Sequence, residues 1–216
     1  MRILTTFILL TICLTVLGQN FSAKKGLTFY PGTFIDTESL YTDSTGTVVI
    51  IQNSIRKAGG SLDSTEYRGY TDSAGKKFGY AIFWTRIINE TSIPIELTIN
   101  FPADSFSISS LPGSYLKLFL PPDTMTLAKE SQYNYGATGL KSFLDTAFHK
   151  PTMLRRTMKP NEACLFYVLG IPYHTQGIDK AGFVLKEQDL FYRVDMVGNF
   201  DSMLIPCGQI GIRQLR

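Results

Sequence analysis

The sequence predicts an all-β fold, an antiparallel sandwich carrying one short helix. Three observations lead there. Apolar and polar residues alternate over short stretches, clusters of turn formers separate those stretches, and one segment alone has apolar residues at helical spacing. With 216 residues, 44% hydrophobic and 18% charged, the chain has apolar material for a sizeable core and too little charge for a disordered one.

The N-terminal element is a delivery signal. Met1-Arg2 supplies a positive start, and an uncharged apolar run from Ile3 to Leu17 ends at Val16-Leu17-Gly18. That layout predicts a cleaved secretory signal peptide over residues 1–18, with Gln19 as the new N-terminus. The run is short of the ~20 residues that cross a bilayer, and no later run is longer, so no transmembrane segment is expected in the mature chain. The expected location is periplasmic or extracellular. Residues 19–45 read as a lead-in segment, either mobile or added to the sheet as a strand. Residues 46–216 read as a single sandwich domain.

Strands are expected at 48–55, 78–88, Ile95–Phe101, 115–120, 153–158, 164–169, 181–185, 190–196 and 209–212. In Ile95–Phe101, Ile95, Leu97, Ile99 and Phe101 point one way and Glu96, Thr98 and Asn100 the other, the pattern of a strand with one buried and one wet face. The stretch 78–88 is apolar at both parities, with Phe78, Tyr80, Ile82 and Trp84 against Ala81, Phe83 and Ile87, so both of its faces should be covered. The turn formers of 89–94 between these two suggest an antiparallel hairpin. The helix is expected at 140–148, where Leu140, Phe143, Leu144, Ala147 and Phe148 fall on one face, packed over an end or edge of the sandwich. Tyr41-Thr-Asp-Ser-Thr-Gly46 and Tyr70-Thr-Asp-Ser-Ala-Gly75 repeat each other at five of six positions. One carboxylate per copy is too few for a calcium cage, and each copy reads as a turn in which Asp binds backbone and Gly takes positive φ.

Cys164 and Cys207 are the cysteines beyond the signal, and an even pair in an oxidising compartment predicts a disulfide between them, worth about 2–4 kcal/mol. The alternative is two buried thiols packing as small hydrophobes.

Little in the chain suggests chemistry. Two histidines, His149 and His174, rule out a multi-His metal site, and there is no Gly-x-Ser-x-Gly elbow and no phosphate-binding Gly-rich loop. No catalytic residue, metal or cofactor is expected. A net charge of +3 gives no electrostatic footprint for nucleic acid. Two binding features stand out. Tyr133 and Tyr135, in Tyr-Asn-Tyr-Gly, offer flat amphipathic contact surface. Lys150, Arg155 and Arg156 form a basic stretch that can meet phosphate or an acidic polysaccharide, or simply guard an edge strand against aggregation.

Residues 89–101, a turn with Pro94 and an alternating strand ending in Phe-Pro, resemble a stretch common in bacterial secreted immunoglobulin-like domains. Met158-Lys-Pro-Asn-Glu-Ala-Cys-Leu-Phe-Tyr167 is similar to the proline–acid turn and strand that follow later in such domains. The resemblance implies an immunoglobulin-like sandwich and carries no functional residue, since fold alone does not give function. The expectation is therefore an exported, non-catalytic binding or interaction protein of a bacterial cell envelope. An envelope or secreted protein is its first partner class and a glycan its second. A carbohydrate-binding module is the alternative, and a glycoside or peptide hydrolase the third reading.

Overall fold

The computed structural model describes residues 22–25, 33–42, 46, 48–58, 69–110, 112–198 and 202–212. The expected signal peptide, residues 1–18, lies outside the described residues. In chain order the strands are β1 (Ser22–Lys25), β2 (Ile35–Thr42), β3 (Val48–Ser54), β4 (Lys57–Ala58), β5 (Tyr70–Thr71), β6 (Lys77–Phe78), β7 (Ala81–Asn89) and β8 (Ile95–Phe101). Then come β9 (Phe106–Ser107), β10 (Tyr115–Phe119) and the helix α1 (Leu140–Ala147). The chain finishes with β11 (Thr152–Met158), β12 (Ala163–Tyr173), β13 (Ile178–Lys186), β14 (Asp189–Met196) and β15 (Ser202–Ile212).

Two antiparallel sheets face each other. The larger, of eight strands, runs β1-β2-β3-β7-β12-β10-β9, with β4 also on β7; the smaller runs β11-β8-β15-β14-β13. The lead-in is a strand in its described part, because Ile35–Thr42 pairs along β3 and Ser22–Lys25 pairs with β2. The core between the sheets follows the alternation of the sequence. Ile95, Leu97, Ile99 and Phe101 of β8 meet Phe83 and Ile87 of β7, and Glu96, Thr98 and Asn100 turn to solvent. Each fully buried aliphatic or aromatic side chain here contributes about 1.5–3 kcal/mol.

The other parity of β7 explains why that strand is apolar on both faces. Ile82 and Trp84, with Phe119 of β10 and Tyr167, Leu169 and Ile171 of β12, belong to a second core on the outer face of the large sheet. Its cover is α1, the β5–β6 hairpin and the segment 123–138. The helix thus packs on a sheet face, not at an end or edge, because Leu140, Leu144 and Phe148 need an apolar surface and the outer parity of β7, β10 and β12 supplies one. Within the cover, Asn134, Tyr135 and Gly136 take consecutive left-handed φ values of 48°, 57° and 66°. For Tyr135 this backbone is unfavourable. Buried and part-buried hydrogen bonds fix it: the Tyr80 hydroxyl donates to Asn134 Oδ1 at 2.8 Å, Tyr135 to the Ile55 carbonyl at 2.7 Å, and Tyr167 to the Tyr135 carbonyl at 2.7 Å.

Two asparagines tie the layers together. Asn89 ends β7 and turns the chain into the other sheet, so β7 and β8 do not form the hairpin expected from the turn residues between them. Its side-chain amide donates to the carbonyls of Ile93, Met158 and Lys159, and its Oδ1 accepts from Thr91 N at 3.0 Å. The corner stays closed because those carbonyls find a donor inside the protein. Asn53, on β3, reaches across the sandwich to β13. Its amide donates to the Phe183 carbonyl and to Thr37 Oγ1, both at 3.0 Å, while its Oδ1 accepts from Phe183 N and Thr85 Oγ1, both at 2.9 Å. A Cβ on Gly182 would lie 2.5 Å from Asn53 Cγ, so the bridge needs glycine beside Phe183.

The expected disulfide is not formed: Cys164 and Cys207 are free, buried thiols. Cys164 belongs to the large sheet, where its sulfur lies 3.9 Å from Arg156 Nη1, and Cys207 to the small one, where it donates to the Leu190 carbonyl at 3.4 Å. Each sulfur is engaged with its own surroundings rather than with the other. Burial pushes the Cys207 thiol up to about 12 and raises Cys164 as well, so both sit in the sandwich core as neutral, weakly polar side chains.

Candidate functional site

The layer covering the large sheet leaves an opening at the end where β10 pairs with β12. Tyr115 and Tyr173 are direct partners in that pairing and share the outer face with Lys117 and Ile171. Phe148, just after α1, and Phe78, at the end of the β5–β6 hairpin, form the rim toward the covered side. The result is an open groove of about 280 Å³, with aromatic rings on half of its lining residues. Tyr115 is 42% exposed, while Phe78 and Phe148 are buried rim residues that pack against each other and each stack on Tyr70 of the hairpin.

Two lysines complete the groove. Lys76 comes from the turn between β5 and β6, the second copy of the Tyr-Thr-Asp-Ser repeat. There Asp72 Oδ1 accepts from the backbone of Ala74 and Lys76, and Gly75 takes φ 78°. The aspartate is thus the turn former the sequence implies, and the turn's product is the position of Lys76. Of the first copy, Gly46 has φ 83° and residues 43–45 lie outside the described residues. Lys76 Nζ lies 3.8 Å from the Tyr173 ring centre, and the His174 ring stacks on Tyr173 at 3.8 Å. Tyr173 therefore has both faces engaged within the protein and serves to hold the ammonium.

Lys117 is half-buried. Its ammonium donates to the Ala103 carbonyl at 2.7 Å and the Phe148 carbonyl at 2.8 Å. Burial lowers its pKa, against an opposing pull from Asp104. Two of its three N–H donors are committed to the protein. The groove lining contains two ammonium groups and no carboxylate. Such a wall offers stacking surface from Tyr115, positive charge from the lysines and a hydroxyl from Ser105. It presents no paired acids and no nucleophile beside a base.

The residues singled out from the sequence lie elsewhere and do not form one site. Tyr135 is 0% exposed and is an anchor of the covering layer, not a ligand contact; its ring carries the Lys57 ammonium at 4.0 Å. Its hydroxyl is needed at Ile55, which is why the second tyrosine of Tyr-Asn-Tyr-Gly turns inward. Tyr133 is 62% exposed and its hydroxyl meets that of Tyr80 at 3.2 Å. Lys150 is exposed between α1 and β11. Arg155 and Arg156 stand on β11, the edge of the small sheet, and their charge is balanced locally. Arg155 pairs with Glu96 at 3.7 Å and Arg156 with Glu162. A backbone bond from Lys159 and the Arg156 guanidinium hold the Glu162 carboxyl below its usual value. Met153 on the same edge is exposed, and inward-directed Arg156 is the kind of charge that discourages pairing with a further strand.

Sequence reasoning missed Lys76, Tyr115, Lys117 and Tyr173. Tyr115 and Lys117 share one parity of a predicted strand, but only the register of β10 on β12 brings Tyr173 alongside. Among the described residues, no three His, Cys, Asp or Glu side chains gather to hold a metal ion, and no helix is long and apolar enough to cross a membrane. No family model, curated protein or solved structure matches this chain.

Proposed function

We propose that this chain is a non-catalytic binding protein, exported to a bacterial cell envelope or beyond it, and that the groove beside Tyr115 is where it takes its ligand. The immunoglobulin-like character implied by residues 89–101 belongs to the same proposal. The observation that supports binding there is the groove itself: an exposed tyrosine and one lysine stand on β10 and a second lysine reaches in from the β5–β6 turn, at an opening in a layer that otherwise buries the aromatics of that face. Sites of this kind combine apolar walls with a few convergent polar groups. The exposed ring of Tyr115 favours a glycan over a protein partner, because a single ring at the mouth of a small groove suits a sugar face better than a broad interface.

The test is an NMR titration of the ¹⁵N-labelled chain starting at Gln19 with soluble carbohydrate fractions of a bacterial envelope. Shifts should concentrate at Tyr115, Lys117, Tyr173 and Lys76. Shifts confined to β11, or turnover of the added material, would overturn the reading in favour of a protein edge contact or a hydrolase.

A further inference from the structure

We propose that the groove selects a sugar that carries a carboxylate, such as a uronic acid unit, over its neutral counterpart. The inference rests on the groove being the ligand site and names what that site prefers.

Charge is the first ground. Lys76 and Lys117 both line the groove, and no acid does. In a concave, ring-lined wall the field of two ammonium groups is focused rather than diluted by solvent. The aspartates nearest in sequence are occupied or outside: Asp72 is bound to the backbone of its own turn, and Asp104 acts on Lys117 from beyond the lining.

Placement is the second. Lys76 is not a loose surface lysine. Its turn is fixed by Asp72 and Gly75, and its ammonium rests on the Tyr173 ring, itself backed by His174. Lys117 is fixed by two carbonyls, which commit two of its three donors and hold its charge at the groove wall. Holding both ammonium groups before the ligand arrives removes most of the ordering cost of binding an anion.

Shape is the third. The groove volume of about 280 Å³ lies at the small end of ligand sites, fitting a short saccharide unit rather than an extended protein segment. Tyr115, cross-strand from Tyr173, supplies the face on which the C–H side of a pyranose ring stacks, with its carboxylate toward the lysines.

The experiment measures Kd by calorimetry for a glucuronate oligomer and for a glucose oligomer of the same length. It uses the chain from Gln19, its Lys76→Gln variant and its Tyr115→Ala variant, at low and moderate salt. The acidic oligomer should bind at least about tenfold more tightly at low salt, a margin that shrinks as salt screens the lysines. Lys76→Gln should erase most of that margin, weakening the acidic oligomer by a larger factor than the neutral one. Tyr115→Ala should weaken both. Equal affinity for the two oligomers, both lost in Tyr115→Ala, would overturn the acidic preference and leave the groove as the site. Binding of either oligomer that survives Tyr115→Ala undiminished, or no binding of either, would overturn the groove assignment itself. Circular dichroism of each variant confirms the fold, and Lys76, being exposed, can be changed without disturbing a core.

Discussion

Replacing Asn53 with leucine tests how the two sheets are held in register. Leucine keeps nearly the same shape, so cavity effects are small and the loss is that of hydrogen bonding. Four bonds disappear. Two buried donors, Phe183 N–H and the Thr85 hydroxyl, lose their acceptor, and the Phe183 carbonyl and Thr37 Oγ1 lose a donor. A buried group left unpaired costs about 1–3 kcal/mol. The two donors alone give about 2–6 kcal/mol, and we expect about 4 kcal/mol by urea unfolding with the slope unchanged. The companion variant is Thr85→Val, which removes one of the stranded groups. Alone it should cost about 1 kcal/mol, and in the Asn53→Leu background it should cost nothing or stabilise, because the unpaired hydroxyl is gone. A loss below about 1 kcal/mol for Asn53→Leu would refute the bridge. So would a Thr85→Val cost that is the same in both backgrounds.

The free thiols give a direct check. A chain starting at Gln19, denatured without reductant, should take two labels per molecule, and the native protein should label slowly because both sulfurs are buried and neutral; a chain that takes none is disulfide-bonded after all. Acid stability tests Asp123, whose carboxylate accepts from Thr124 N at 2.7 Å and from Thr138 N at 2.9 Å, tying together the two ends of the covering segment. Burial works against its charge, but these backbone bonds and Lys129 outweigh it and hold the pKa below the ordinary 3.8. A depressed carboxyl contributes stability above its unfolded value and loses it as pH falls through the folded one. Asp123→Asn should therefore be less stable at neutral pH and lose less on going below pH 4. Parallel acid profiles for the two proteins would remove Asp123 from this role.

The parts of the fold that the sequence reveals are those written in short-range periodicity. The span Ile95–Phe101 is read correctly to the residue because its alternation has no exception. The helix is read because its apolar residues fall on one face. Strand β2 is hidden because its buried positions include Thr37 and Thr42, and Thr37 is inside only by virtue of the Asn53 network across the chain. The false hairpin after β7 has a similar origin. Turn residues mark a change of direction, but the Asn89 side chain, bonded to carbonyls about 70 positions later, decides which sheet the chain enters. Double-sided burial of β7 is visible in the sequence, whereas the identity of its cover is not. The groove is the least legible feature, since it exists only where three separate segments stop short of covering one end of a sheet.

The corner at Asn89 also governs when the molecule can be finished. Strand β8 leaves its neighbour in sequence behind and takes β11 on one side and β15 on the other. The large sheet can close once Tyr173 is available, but the small one lacks a central pairing until the last strand, ending at Ile212, arrives. Until then β8 has β11 as its one paired neighbour and an unpaired edge on its other side. Folding that depends on such late, distant partners is slow. Completion of the small sheet therefore waits on the segment 202–212, and a truncation before Ser202 removes the strand that joins the β8–β11 pair to the β13–β14 pair.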